Sequence, residues 1–336
     1  MSTTPKPTPS PSPSQTPEQL LIRPFTAADY HAFVALSNAV ETEHPTTVAE
    51  ARYRDESRDP KCRHARFVAE LEGRMVGSAG YGQWASMYHP RKFGVGVQVH
   101  PEHRRQGVGA ALYDRVSEAL EPMDPVLLRA GAREDRPEAV RFLAARGFLE
   151  EDRAWESRLD PQAFDPAPYQ GLERRLRAEG IVITTLAELM AEPGWQGKVF
   201  ELDWQVSQDE PTPETLTKPD LEPWVEKEFG DPNLLPEAYL IAVHGGDYVG
   251  LSVLYNSGSG DGLYNGMTGV TRPYRRKGVA LALKVRNLLW AKAKGHRLIK
   301  TWNNTTNRPM LSINERLGFA KQPADIGFKK VLQPLE

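Results

Sequence analysis

Apolar positions along this chain recur with two spacings, alternate residues for strands and every third or fourth for helices, and together they predict two rounds of one pattern. Leu21-Ile22 reads as a short strand, and Thr26 as the N-cap of a helix running to about Val40. Arg66–Glu70 and Val76–Trp84 read as strands around a Glu72-Gly73 turn, and Phe93–Val99 as a third strand. Val108, Leu112, Val116 and Ala119 keep helical spacing over 107–120. A strand at Val126–Ala130, a helix over Pro137–Arg146 stopped by Gly147, and a strand at Arg153–Leu159 complete the first round. The second round runs through Ile181-Val182-Ile183, a helical stretch Leu186–Trp204, and strands Tyr239–Val243 and Tyr248–Tyr255 around Gly245-Gly246. It continues with Leu263–Val270, a helix from Gly278, the strand Leu298–Trp302 and a helix from about Pro309 to Leu317. Strands in pairs followed by single helices predict an α/β chain of the α+β kind, each half a mixed, mostly antiparallel sheet flanked by helices. They do not predict the strict βαβ alternation of a doubly wound dinucleotide fold.

The two rounds are copies. Arg104-Arg105-Gln106-Gly107-Val108-Gly109-Ala110 matches Arg275-Arg276-Lys277-Gly278-Val279-Ala280-Leu281, and Gly147-Phe148 matches Gly318-Phe319, each 171 residues apart. Val76-Gly77 matches Val249-Gly250, and Pro45-Thr46 matches Pro211-Thr212, in the same order and at nearly the same spacing. The expected organisation is a domain over 18–160, a linker over 161–178 interrupted by Pro161, Pro166 and Pro168, and a second domain over 179–336. Residues 1–17 hold 6 Pro and 8 Ser or Thr beside a single apolar residue, Met1. Such a segment cannot bury enough surface to offset its ordering entropy, so a disordered tail is expected there.

Composition narrows the function. With 42 Lys+Arg against 44 Asp+Glu the formal net charge is -2, which speaks against a strongly basic nucleic-acid binder and gives no anionic membrane partner. Cys62 is the only cysteine, which excludes an internal disulfide framework and a cysteine-based zinc site. No apolar run approaches the ~20 residues of a membrane span, and the first 20 residues carry no apolar core of a secretory signal. A cytoplasmic protein is the expectation.

The chemistry-bearing feature is a strand, an arginine-rich turn with small residues, and then a helix start. In the first copy it reads Val97-Gln98-Val99-His100-Pro101-Glu102-His103 and on through Arg104, Arg105, Gln106, Gly107, Val108, Gly109 and Ala110. Small residues let a ligand approach the backbone. The first helical N–H groups have no internal partner and sit at the positive end of the helix, so the turn suits an anion, and a pyrophosphate fits it. A Rossmann fingerprint would need a third glycine where Leu112 stands, and a P-loop would need Gly-Lys-Ser/Thr. The competing reading is a structural turn with solvated arginines; its occurrence in both copies argues against coincidence.

Arg/Gln-x-x-Gly-x-Gly/Ala between strand and helix resembles the acyl-CoA signature of the GNAT superfamily of N-acyltransferases. The segment Asn307-x-x-Met310-x-x-x-Asn314-x-x-Leu317-Gly318-Phe319 resembles a second GNAT signature, and Phe142–Phe148 closes the first copy in the same way. The resemblance covers nearly everything after residue 20 and implies two tandem GNAT folds. The two-domain arrangement is similar to that of GNAT enzymes that acetylate an amino-sugar thiol conjugate.

The resemblance implies that amides from Arg105 to Ala110, and from Arg276 through Lys277, Gly278, Val279 and Ala280 to Leu281, hold the CoA pyrophosphate, with Arg104 and Arg275 beside them. It implies that backbone N–H groups of the strands ending at Val99 (through Val97) and Val270 polarise the thioester carbonyl. It places Asn307 at the family's asparagine. Acetyl-CoA is the implied acyl donor and a small-molecule amine the acceptor, attacking directly, in a monomer or homodimer with no nucleic-acid or membrane partner. Where many members carry a tyrosine acid, this chain has Leu143 and Asn314, so Asn314 is a candidate donor of a hydrogen bond, and either water or another side chain supplies the proton or one copy is not catalytic. Acidic residues end the first helix of each copy: Glu41, Glu43 and His44 before Pro45, and Asp209 and Glu210 before Pro211. Glu43 and Glu210 are the candidate bases for a cationic amine; ordinary surface carboxylates are the competing reading. The reading from another class is an acyl-CoA sensor or scaffold in which one or both copies do not turn over.

Overall fold

The computed structural model describes residues 19–257 and 262–334, so the expected tail over 1–17 lies outside the described residues. In chain order the elements are β1 (Leu21–Pro24), α1 (Tyr30–Val40), α2 (Val48–Glu56), β2 (His64–Leu71), β3 (Arg74–Gly82), β4 (Lys92–Val99), α3 (Val108–Leu120), β5 (Leu127–Arg133), α4 (Pro137–Ala144) and β6 (Leu149–Leu159). Then come α5 (Leu172–Ala178), β7 (Ile181–Thr185), α6 (Leu186–Leu189), α7 (Trp195–Ser207), α8 (Leu221–Phe229), β8 (Leu234–His244), β9 (Asp247–Asn256), β10 (Gly262–Val270), α9 (Val279–Ala293), β11 (Leu298–Asn304), α10 (Arg308–Leu317) and β12 (Ala320–Val331). The anticipated strands and helices are present in the anticipated order, and the sheet is mixed and mostly antiparallel.

Four differences have local causes. The helical stretch expected over Leu186–Trp204 is two helices, because Pro193 cannot continue α6 and Gly194, at φ +74°, starts α7. Helix α2 has no apolar stripe; a capping box sets it, in which Thr47 accepts from the Glu50 N–H and the Glu50 carboxylate accepts from the Thr47 N–H. Helix α5 forms inside the expected linker, after Gly171 in the left-handed conformation. Helix α8 follows Asp220 in a run whose charged residues mask its apolar face.

The chain forms two compact units that interleave along the sequence. One holds 19–44, 64–81 and 95–124 of the described residues; the other holds 45–63, 82–94 and 125 onward. In the first unit β1 pairs antiparallel with β2, and α3 packs on β2 through a core that includes Phe67, Val68, Val108, Leu112 and Val116. A Cβ on Gly77 of β3 would sit 2.8 Å from Leu112 Cδ1 and 3.2 Å from Val108 Cγ1. This glycine lets the start of α3 lie directly on the strand backbone.

In the second unit the Lys92–Gly94 part of β4 pairs parallel with β5, and the order continues β5-β12-β6-β11-β10-β9-β8-β7. Among the described residues, only β4 with β5 and β10 with β11 are parallel within this run. The last strands of the two copies have changed places. β12, from the end of the second copy, pairs with β5 of the first, and β6, from the end of the first, pairs with β11 of the second. β6 and β12 also pair with each other. Gly250 repeats the role of Gly77: its Cβ would meet Val279 Cγ1 at 3.3 Å and the Gly269 carbonyl at 3.2 Å.

The exchange makes a testable demand on the repeat boundary. A fragment 18–160 lacks β12, one of the two partners of β5, and a fragment 179–336 lacks β6, one of the two partners of β11, so each carries an unpaired strand edge prone to association. Expressed alone, each should be recovered as aggregate by size-exclusion chromatography, and co-expression should restore a soluble 1:1 complex. Two well-behaved monomers would contradict the interdependence.

Candidate active site

The two arginine turns take the same backbone. After β10, the Thr271 N–H donates to the Val249 carbonyl at 2.9 Å and Arg275 Nε donates to the Val270 carbonyl at 2.9 Å. After β4, the His100 N–H donates to the Val76 carbonyl at 2.8 Å and Arg104 Nε donates to the Val99 carbonyl at 3.3 Å. Arg276 and Arg105 are both left-handed, at φ +62° and +64°, and each is followed two residues later by a left-handed glycine, Gly278 or Gly107. A non-glycine residue held there costs on the order of 1–2 kcal/mol, and such strain gathers at ligand-binding turns. No side chain caps α9 or α3 at its N-terminus. The leading amides of both helices are thereby left for an anion.

In the second copy this turn opens onto a cavity. β10 and β11 pair only at Gly262–Tyr264 with Leu298–Lys300. Beyond Tyr264 they part, and a cavity of about 760 Å³ occupies the fork. Tyr264 and Val270 are six residues apart on one strand, which spans about 20 Å. The cavity therefore runs from an aromatic, acidic region to the anion turn, with Glu210, Tyr264 and Trp302 on its wall together with Arg276 and the Gly278–Leu281 backbone. Tyr264 lies edge-on to Trp302, with ring centroids 5.4 Å apart. Gly266 and Met267 fall in a register break of the β9–β10 ladder, and a Cβ on Gly266 would meet the Tyr255 ring at 2.9 Å.

The residues anticipated from sequence are distributed as follows. Glu210, Val270, Arg275, Arg276, Gly278, Val279, Ala280, Leu281 and Asn307 line this one cavity. Lys277 of the same turn is exposed and lies 3.7 Å from Glu179. Asn307 also N-caps α10, its Oδ1 accepting from the Met310 N–H at 3.4 Å. Asn314 is buried and donates from Nδ2 to Asn303 Oδ1 at 2.6 Å, and it is Asn303 that reaches the cavity wall. In the first unit Arg104, Arg105, Gln106, Gly107, Val108, Gly109 and Ala110 form the matching turn after Val97 and Val99 of β4, and Glu43 is exposed on the turn after α1.

The two acidic candidates of the second copy have opposite fates. The Arg272 and Arg275 guanidiniums bind the Asp209 carboxylate and hold it below its ordinary range, which removes it as a base. Glu210 keeps an exposed face, yet crowding by the surrounding walls pushes its carboxyl above the ordinary range. Close enough to Glu210 to feel its charge is a half-buried acidic group that sequence reasoning missed. Burial, and then Glu228 and Glu210, raise Asp203 to about 7. Burial raises Glu228, which accepts from the Tyr255 hydroxyl at 2.5 Å.

The other missed group is Lys284, 3 % exposed on α9 and part of the cavity wall. Its ammonium donates to Asn265 Oδ1. Asn265 is oriented for this, because its Nδ2 donates to the Val253 carbonyl at 2.8 Å. Among the described residues no carboxylate pairs with Lys284, and burial alone lowers its pKa to about 7. The signal was present in the pattern: Leu281, Lys284, Leu288 and Ala291 form the buried stripe of α9, with a lysine where an apolar residue belongs.

Residues 30–148 match the acetyltransferase (GNAT) family. The chain is 27% identical to a mycothiol acetyltransferase of Thermobifida fusca, over 80% of this chain and 83% of that protein. It is 25% identical to a mycothiol acetyltransferase of Saccharopolyspora erythraea, over 69% of this chain and 74% of that one. A tandem GNAT protein from the clavulanic acid biosynthesis pathway shares the fold with a TM-score of 0.72 at 20% identity, over 94% of this chain and all of that one (100%).

The buried lysine makes a stability prediction. Its pKa is about 7 folded against an ordinary 10.5, so between those values the unfolded chain binds more protons and this group's contribution rises with pH. Below pH 7 the buried ammonium carries its full cost. Lys284→Met removes that cost, several kcal/mol, and leaves Asn265 Oδ1 without its donor, about 1–3 kcal/mol, for a net gain of about 2 kcal/mol. Thermal unfolding at pH 6 should therefore occur at higher temperature in the variant, and its advantage should shrink as pH approaches 10. A less stable variant at pH 6 would mean that the ammonium is stabilised where it lies.

Proposed function

The first copy is a GNAT-family domain in a chain with the tandem GNAT fold, and on that footing we propose that the protein transfers acetyl from acetyl-CoA to the primary amine of a small molecule, with the second-copy cavity as the working centre. The observation that carries this reading is one cavity lined both by the uncapped turn Arg276–Leu281 and by Glu210 with its aromatic neighbours. The amides of the turn and the positive end of α9 hold the CoA pyrophosphate. The acyl-pantetheine arm lies in the fork between β10 and β11. A backbone N–H of β10, at or near the register break at Gly266 and Met267, polarises the thioester carbonyl.

The acceptor lies against Tyr264, Trp302 and Glu210. Aromatic faces beside a carboxylate suit a cationic amine. The carboxyl of Glu210, raised by crowding, accepts the proton the amine must lose before attack. The nitrogen lone pair then attacks the carbonyl carbon, the C–N bond forms, the C–S bond breaks, and CoA leaves as thiolate. The relatives named as mycothiol acetyltransferases bring amino-sugar thiol conjugates onto the list of acceptors to test.

Purified full-length protein should release free CoA thiol from acetyl-CoA only when a suitable amine is present. Binding of acetyl-CoA with no release across a broad amine panel would favour a sensor. Glu210→Gln should raise the acceptor KM and leave acetyl-CoA affinity intact, a loss of about 1–3 kcal/mol or roughly 5- to 150-fold in kcat/KM. Ala280→Trp, which fills the pyrophosphate turn of the second copy, should abolish turnover. An Ala280→Trp protein that still turns over would move the working centre to the first copy.

A further inference from the structure

Lys284 and Thr301 converge on one residue. The Thr301 hydroxyl, on β11, donates to the Asn265 backbone carbonyl at 3.1 Å, and the Lys284 ammonium, on α9, donates to the Asn265 side-chain oxygen. Asn265 stands on β10 one residue past the last β10–β11 pair. Lys284 therefore lines the cavity at the point of the fork, one and a half turns along α9 from the anion turn, with its ammonium on Asn265. Five residues of helix span about 7.5 Å, so a donor whose pyrophosphate sits on the turn brings its thioester sulfur down the fork toward this group. At Asn314, where the family resemblance expects an acid, the side chain is an amide committed to Asn303. The leaving thiolate needs a proton from elsewhere.

We propose that Lys284 is the catalytic acid of the second copy, its ammonium giving a proton to the CoA sulfur as the C–S bond breaks; this rests on the acyl-transfer reading above. The step balances. The ammonium form of the acceptor loses one proton to Glu210 before attack, its nitrogen loses a second to solvent after the C–N bond forms, the sulfur gains one from Lys284 as the C–S bond breaks, and Lys284 recovers one from solvent in the cavity.

The surroundings suit the role. The charged and titratable groups sharing the cavity with Lys284 are Asp209 and Glu210 from the end of α7, Tyr264 on β10, and Arg275, Arg276, Tyr274 and Arg316 from the turn and α10. Asp209 is already bound to Arg272 and Arg275. Ser252 of β9 and Thr268 of β10 turn toward its asparagine partner, and Asn287 of α9 donates to the Ser252 hydroxyl; all three are uncharged. Phe319 lies beneath the ammonium at 5.3 Å from its ring centroid. An ammonium held by neutral partners gives up its proton more readily than one paired with a carboxylate, and the low pKa of Lys284 agrees. The first copy has Tyr113 at the equivalent position, 171 residues earlier, so the lysine belongs to the second copy alone.

The test measures kcat at saturating acceptor against pH, acetyl-CoA affinity by calorimetry, and the pH dependence of Lys284 reductive methylation by mass spectrometry in the full chain. Wild-type kcat should fall on an alkaline limb as Lys284 deprotonates, and its methylation should titrate in the same range. Lys284→Met should keep acetyl-CoA affinity, lower kcat by about 10²- to 10⁴-fold, the range of acid–base catalysis, and lose the limb. Asn265→Asp, which pairs the ammonium with a carboxylate, should move both the limb and the methylation midpoint to higher pH, a result that a packing role for Lys284 would not produce. If the wild-type chain turns over and either variant leaves the limb where it was, the proposal is overturned and the acyl-transfer reading stands. If the wild-type chain binds acetyl-CoA and releases no thiol with any amine, both fall together.

Discussion

β10 and β11 share three residue pairs and then part, although both strands continue for several residues more. Two parallel strands that stop pairing expose backbone groups on both edges, and a protein interior tolerates this only if something else meets them. Here Thr301 answers from β11 with a bond to the Asn265 carbonyl, and Asn265 ties the fork to β9 through Val253. The register break at Gly266–Met267 bends β10 away, and Gly269 lets α7 close over the far part of the strand: a Cβ there would stand 2.5 Å from Val206 Cβ. The cavity, the anion turn at its end and the polar group at its apex all depend on this one interruption of the ladder.

Much of this was legible in sequence because it obeys local rules. The paired turns at Arg104–Ala110 and Arg275–Leu281 combine small residues, a preceding strand and a following helix, and each requires a left-handed glycine at a set position. Gly77 and Gly250 were legible as repeat anchors, and the structure gives the reason: a helix start lies directly on each. What was not legible lies in long-range pairing. The exchange of β6 and β12 leaves no local mark, since either strand carries the same alternation whichever partner it takes. The acidic group of Asp203, Glu228 and Tyr255 joins α7, α8 and β9, and the helical spacing of Leu221, Trp224, Val225 and Phe229 in α8 is interrupted by Glu222, Pro223, Glu226, Lys227 and Glu228. Asp209 and Glu210 are adjacent in sequence and looked equivalent. Only the reach of Arg272 and Arg275 separates them, one carboxylate neutralised and the other left to face the cavity.

The exchanged strands also explain how two copies can drift apart without either being lost. β12 completes the sheet beside β5, and β6 completes it beside β11, so each copy's closing strand is a structural part of the other's sheet. Residues that close the sheet are thereby held by folding, whether or not the cleft beside them works. Residues that face only a cleft are not so held. Three differences between the copies lie at or beside the fork: Ala280 against Gly109 in the turn and Lys284 against Tyr113 on the helix, where both second-copy residues line the cavity, and Asn314 against Leu143, where Asn314 is buried behind Asn303. In the second copy these changes act together. An amide that cannot serve as an acid stands where the family resemblance expects a tyrosine, while an ammonium surrounded by neutral partners reaches the fork from the opposite helix. A charge buried at that cost is hard to explain as packing, because an apolar side chain would fill the same stripe of α9 without it. Its retention is accounted for if the chemistry at the fork uses its proton.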